Sequence, residues 1–220
     1  MYETDATCAV ADDAEPILTA TNDKDGNYAF EALTYTGEDD LDKDTNGHFV
    51  ETKKYYRVIE KKGTDENITY SEVKYDITVT LKDNGDKTMS VTSDKAKDAC
   101  DFTNTYSAED SITLAGVKSI DTRALKAGDV FRFTISGDYS ATVTSDAVTG
   151  KINYPTIKYT NADDGKTFRY KVVEEVSTVT GVTKSAQEYE FSITVTDNKD
   201  GTLTLARDGC YLRRPVSAHL

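Results

Sequence analysis

Tyr56-Arg57-Val58-Ile59-Glu60 returns 114 residues later as Tyr170-Lys171-Val172-Val173-Glu174. Each run is short and rich in aromatic and β-branched residues, so each reads as a strand that closes on a carboxylate. Two more blocks follow in the same order. Tyr75-Asp76-Ile77-Thr78-Val79 is answered by Phe191-Ser192-Ile193-Thr194-Val195. The turn Asp83-Asn84-Gly85-Asp86 is answered by Asp197-Asn198-Lys199-Asp200-Gly201. Three blocks in one order are an internal duplication.

Between the blocks, short alternating runs are separated by Asp/Asn/Gly clusters, with 14 tyrosines, no tryptophan and 3 prolines. The expected class is all-β, and each copy has the length of one β-sandwich. The expected domains are 1–106 and 107–220, with 210–220 set apart as an atypical tail. Strands are expected at Tyr2–Val10, Ile17–Thr21, Tyr55–Glu60 and Val73–Leu81, the last with Val73, Tyr75, Ile77 and Val79 in register. Val130–Ile135 is expected as a strand of the second copy.

The copies are not equivalent. The second holds Lys118 after Leu114-Ala115-Gly116-Val117, and the first has no counterpart to it. The first closes on Asp101-Phe102-Thr103-Asn104-Thr105-Tyr106, and Cys210-Tyr211-Leu212-Arg213-Arg214-Pro215 does not match that pattern. The first copy therefore reads as lacking its opening strand and the second its closing strand, as in a segment of a longer array. Period-two alternation over 102–106 predicts Phe102, Asn104 and Tyr106 on one core face. A carboxamide placed there must be hydrogen-bonded or must have reacted.

The ordered set resembles the streptococcal pilin isopeptide-linkage repeat, found in Gram-positive shaft pilins and adhesin stalks. The residues that carry the resemblance are the two Tyr-x-Val-x-Glu runs ending in Glu60 and Glu174, the Asp83 and Asp197 turns, Asn22-Asp23-Lys24-Asp25-Gly26, Phe102–Tyr106, and Lys118. It implies two tandem immunoglobulin-like sandwiches and self-made Lys–Asn amide bonds. Glu60 and Glu174 would be the proton-handling acids, Asn104 the acceptor of the first copy and Lys118 the nucleophile of the second. Burial favours a neutral lysine and a protonated carboxylic acid, and a fixed geometry supplies much of the barrier reduction. Each copy then holds half a site, and Lys118 is not expected to join Asn104. The implied location is extracellular, on the cell wall or pilus, with neighbouring repeats as partners.

Other chemistries find less support. With 26 Lys and Arg against 39 Asp and Glu, the net charge of −13 opposes nucleic acid and anionic membranes as partners. The 3 scattered cysteines form neither a disulfide framework nor a zinc motif, and no apolar run is long enough to span a bilayer. No nucleophile elbow, phosphate loop or Cys–His pairing points to a turnover enzyme, and no cofactor is expected. Asp42-x-Asp44-x-Asn46-Gly47 copies the first half of a calcium loop, but Lys53 stands where the bidentate glutamate belongs, so no metal is expected. The alternative function is an adhesin module that grips a host protein or glycan through loops such as 37–47.

Overall fold

The computed structural model describes residues 1–96 and 98–213. The chain divides into two units, Met1–Thr105 and Tyr106–Leu220. In both, the regular secondary structure is almost wholly antiparallel strand.

In the first unit, β1 (Tyr2–Thr4), β2 (Thr52–Ile59), β4 (Lys74–Asp83) and β5 (Met89–Ser93) form one sheet in the order β1-β2-β4-β5. The strand β3 (Ile68–Thr69) pairs with β6 (Thr105–Tyr106), on which the unit ends. Tyr56, Val79 and Leu81 point inward from β2 and β4 and meet Leu41. Alternation along β4 predicts this, because side chains two apart share a face. A short helix, α1 (Gly37–Asp40), is a single turn capped by the Thr36 hydroxyl, which accepts the Asp39 N–H at 3.2 Å.

The second unit holds β7 (Glu109–Ile112), β8 (Ala115–Val117), β9 (Arg132–Gly137), β10 (Ala141–Thr144), β11 (Lys151–Asn153), β12 (Ile157–Thr160), β13 (Thr167–Glu174), β14 (Glu188–Asp197) and β15 (Leu203–Arg213). Its main sheet runs β10-β9-β13-β14-β15, and β8 pairs with β11 and β7 with β12. Phe131, Phe133, Ile135, Tyr159, Tyr170, Phe191, Ile193 and Val195 form the core. Each such side chain contributes about 1.5–3 kcal/mol by leaving water.

The duplication extends to the register. Tyr56 lies opposite Ile77 and Tyr170 opposite Phe191, while Asp83 lies opposite Met89 and Asp197 opposite Leu203. Each central tyrosine also meets a second tyrosine. The Tyr35 hydroxyl donates to Tyr56 at 3.0 Å, and the hydroxyls of Tyr159 and Tyr170 lie 2.7 Å apart. In the first unit β1 lies against β2 as β9 lies against β13, so no described strand of that unit answers β8. The two tandem β-sandwich repeats are those read from the sequence.

Several strand assignments change. Ile17–Thr21 forms no strand: the chain bends at Ile17, and the Ile17 and Leu18 N–H groups both go to one acceptor, the Met1 carbonyl. Only Tyr2–Thr4 of the expected first strand pairs. Val73 falls outside β4 and is 48% exposed, since the ladder starts at Lys74. The strand placed at Val130–Ile135 pairs from Arg132 onward. The segment set apart as a tail begins within β15, and its residues 214–220 lie outside the described residues.

Candidate functional site

Glu60 follows directly on β2, and Glu174 is the last residue of β13. At each carboxylate the chain turns away and returns 11 residues later, at Ser71 and Ser185. The Ser71 N–H donates to Glu60 Oε2 at 2.9 Å, and the Ser185 N–H donates to Glu174 Oε2 at 3.0 Å. Both serines carry the same local turn. Ser71 Oγ accepts the Val73 N–H at 3.3 Å, and Ser185 Oγ accepts the Gln187 N–H at 3.2 Å. This device aims the serine N–H at the carboxylate, and pattern reading missed it. Its only trace in the sequence is a serine at the same offset in both copies.

In the second unit Lys118 completes one side of the carboxylate. Its Nζ donates to Glu174 Oε2 at 2.9 Å, with the two side chains 12% and 2% exposed. The ammonium also stands 4.7 Å from the centre of the Phe131 ring, a favourable cation–π contact. Lys118 is held just past β8 by its N–H, which donates to the Gly150 carbonyl at 2.8 Å. Gly150 has φ +68°, and a Cβ there would lie 2.0 Å from the Lys118 carbonyl oxygen, so only glycine fits. Removing two charges from water is costly unless every lone pair is used. Here one is left over, because Glu174 Oε1 is buried without a partner among the described residues. A cleft of about 470 Å³ opens beside it, lined by Lys118, Glu174, Ser185, Tyr154 and Phe191 among others. Burial pushes the Tyr154 hydroxyl up to about 12.

In the first unit Asn104 completes the other side. Its Nδ2 donates to Glu60 Oε1 at 2.7 Å, and its Oδ1 accepts the Ser71 N–H at 2.8 Å. Among the described residues no cation pairs with Glu60 as Lys118 does with Glu174. The structure thus brings together Lys118 with Glu174 and Asn104 with Glu60, each pair within its own unit.

The setting of Asn104 differs from the expectation. It is exposed, and the strand around it covers only Thr105–Tyr106. Phe102 and Tyr106 do not share a core face with it. The Phe102 ring packs edge-on against Tyr75 at 5.3 Å, whereas the Tyr106 hydroxyl donates to Asp197 at 2.8 Å. The physical reason is that the chain changes unit at this point, so a strict two-residue alternation has no single sheet to face. Asn104 is satisfied by the Glu60 and Ser71 contacts instead of by burial.

In the acidic loop, Asp44 Oδ1 accepts the Asn46 and His48 N–H groups at 2.8 and 2.9 Å, so this oxygen closes its own turn. Among the described residues no cluster of three or more acidic, histidine or cysteine side chains is set to hold a metal.

A family model described as FctA, the Spy0128-like isopeptide containing domain, matches residues 2–107 and again residues 114–209. No curated protein matches the chain.

Proposed function

Because the chain belongs to the FctA family of Spy0128-like isopeptide-containing domains, we propose that it is a structural segment of a Gram-positive pilus shaft or surface stalk. Its sandwiches are of the kind stiffened by Lys–Asn amide bonds that the protein makes itself. Its role is mechanical: to hold an adhesive end away from the wall and resist shear. Neighbouring repeats are its partners, and no step of turnover is involved.

One observation carries this reading. The two glutamates share one local frame, and each is complemented on a different oxygen, Glu174 by a lysine on Oε2 and Glu60 by an asparagine amide on Oε1. The orphan Oε1 of Glu174 is the atom that the asparagine takes in the other copy. A whole site would hold lysine, glutamate and asparagine in one line. The Lys118 ammonium first gives a proton to the carboxylate beside it. The freed amine then attacks the asparagine carbonyl carbon, the carboxylic acid gives its proton to the nitrogen that leaves as ammonia, and the carboxylate takes up the remaining proton from the attacking nitrogen. The bond formed is an amide between the two side chains, and the bond broken is the carbon–nitrogen bond of the carboxamide.

Peptide mapping of the protein isolated from its native cell surface tests this. A branched peptide linking Lys118 to an asparagine of its own sandwich is expected. A linear Lys118 peptide alone would overturn the reading. A branched peptide joining Lys118 to Asn104 would contradict the assignment of the two residues to separate sites.

A further inference from the structure

The Ser71 N–H touches two acceptors at once, Glu60 Oε2 at 2.9 Å and Asn104 Oδ1 at 2.8 Å. An N–H only donates, so the Asn104 atom facing it is the carbonyl oxygen, and the amide nitrogen faces Glu60. The glutamate therefore sits on the leaving nitrogen, and the carbonyl oxygen is left to the backbone.

We propose that the Ser71 N–H is the oxyanion donor of this site, and that the Ser185 N–H fills the same place in the second unit. This rests on the cross-linking role proposed above and assigns it a catalytic group. When an amine attacks the Asn104 side-chain carbon, a carbon–nitrogen bond forms and the carbonyl pair moves onto Oδ1, where the Ser71 N–H receives it. Collapse restores the carbonyl and expels Nδ2 as ammonia. The proton for Nδ2 arrives from Glu60 Oε1, which regains it from the attacking amine. A donor fixed before the reaction stabilises charge without reorganising, which is why such groups carry a large share of acyl-transfer catalysis. The Ser71 and Ser185 hydroxyls act one step further out, by accepting the N–H two residues on and so aiming their own N–H groups. The same turn at the same offset in both units is the second observation behind the assignment.

The exposed position of Asn104 allows a direct test in the whole chain, with hydroxylamine standing in for the lysine. Attack releases ammonia and leaves a hydroxamate at residue 104, read by peptide mass spectrometry. Asn27 and Asn67 are internal references, since their amide nitrogens also face carboxylates, those of Asp23 and Asp65. Asn104 is expected to react well ahead of both. Ser71→Pro, which deletes the N–H, should slow it by about 10²-fold. Ser71→Ala loses the hydroxyl but keeps the N–H, and its rate should stand well above that of the proline variant. If proline disturbs the fold, a backbone ester at residue 71 removes the same hydrogen and should give the same loss. A rate at Asn104 no greater than at Asn67 would overturn the proposal. A fast Asn104 that is indifferent to both the proline and the ester would also overturn it, while leaving the cross-linking role standing for peptide mapping to decide.

Discussion

Lys118 and Glu174 form a buried ion pair 2.9 Å apart, yet one oxygen of that glutamate has no partner among the described residues. A buried charge pair is stable only when its geometry is good and its remaining lone pairs are used. In the first unit the matching oxygen, Glu60 Oε1, accepts from the Asn104 amide nitrogen at 2.7 Å.

Lys118→Met is expected to leave Glu174 buried and unpaired and to destabilise the second unit by about 3–5 kcal/mol. The double variant Lys118→Met, Glu174→Leu should recover most of that loss, because both charges are gone. Urea unfolding of the three proteins gives the comparison. An equal loss in single and double variants would mean that packing, not charge, governs this place.

Gly150 should tolerate no side chain. Gly150→Ala puts a Cβ against the Lys118 carbonyl, whereas Gly165 has a similar φ of +75° and nothing within 4 Å. Gly165→Ala is expected to cost about 1–2 kcal/mol, the ordinary penalty of a left-handed alanine. Gly150→Ala should cost more and should also expose Lys118 to amine-labelling reagents. Equal melting temperatures for the two variants would contradict this placement.

Asp129 gives the second unit an acid limb. The Arg123 hydrogen bonds hold its carboxyl below its ordinary value of 3.8, and the Lys126 N–H adds to them. A carboxylate depressed on folding contributes stability that is present above its unfolded value and is lost as pH falls through its folded one. Melting temperature should therefore drop below about pH 4, and Asp129→Asn should flatten that part of the profile. An unchanged slope in the variant would show that other carboxylates set the limb.

The duplicated strands were legible because alternation and the 114-residue offset report the same register, down to Tyr56 opposite Ile77 and Tyr170 opposite Phe191. Glu60 and Glu174 could be named because they close the duplicated strand, and Lys118 and Asn104 because they stand where the pilin repeat it resembles has its lysine and asparagine. What stayed hidden was backbone chemistry. A donor N–H at Ser71 or Ser185 depends on a turn, and side-chain patterns carry little record of where an N–H points. The exposure of Asn104 was hidden for a different reason. Alternation reports a shared face only while the strand remains in one sheet, and residues 102–106 cross from one unit to the next.

If each glutamate serves a lysine–asparagine pair, intact mass under denaturing conditions will read out the bonds formed. The sample is the protein isolated from its native cell surface. A mass short by one ammonia for each sandwich is expected, with the first deficit abolished by Glu60→Ala and the second by Glu174→Ala. Full mass would contradict the cross-linking role.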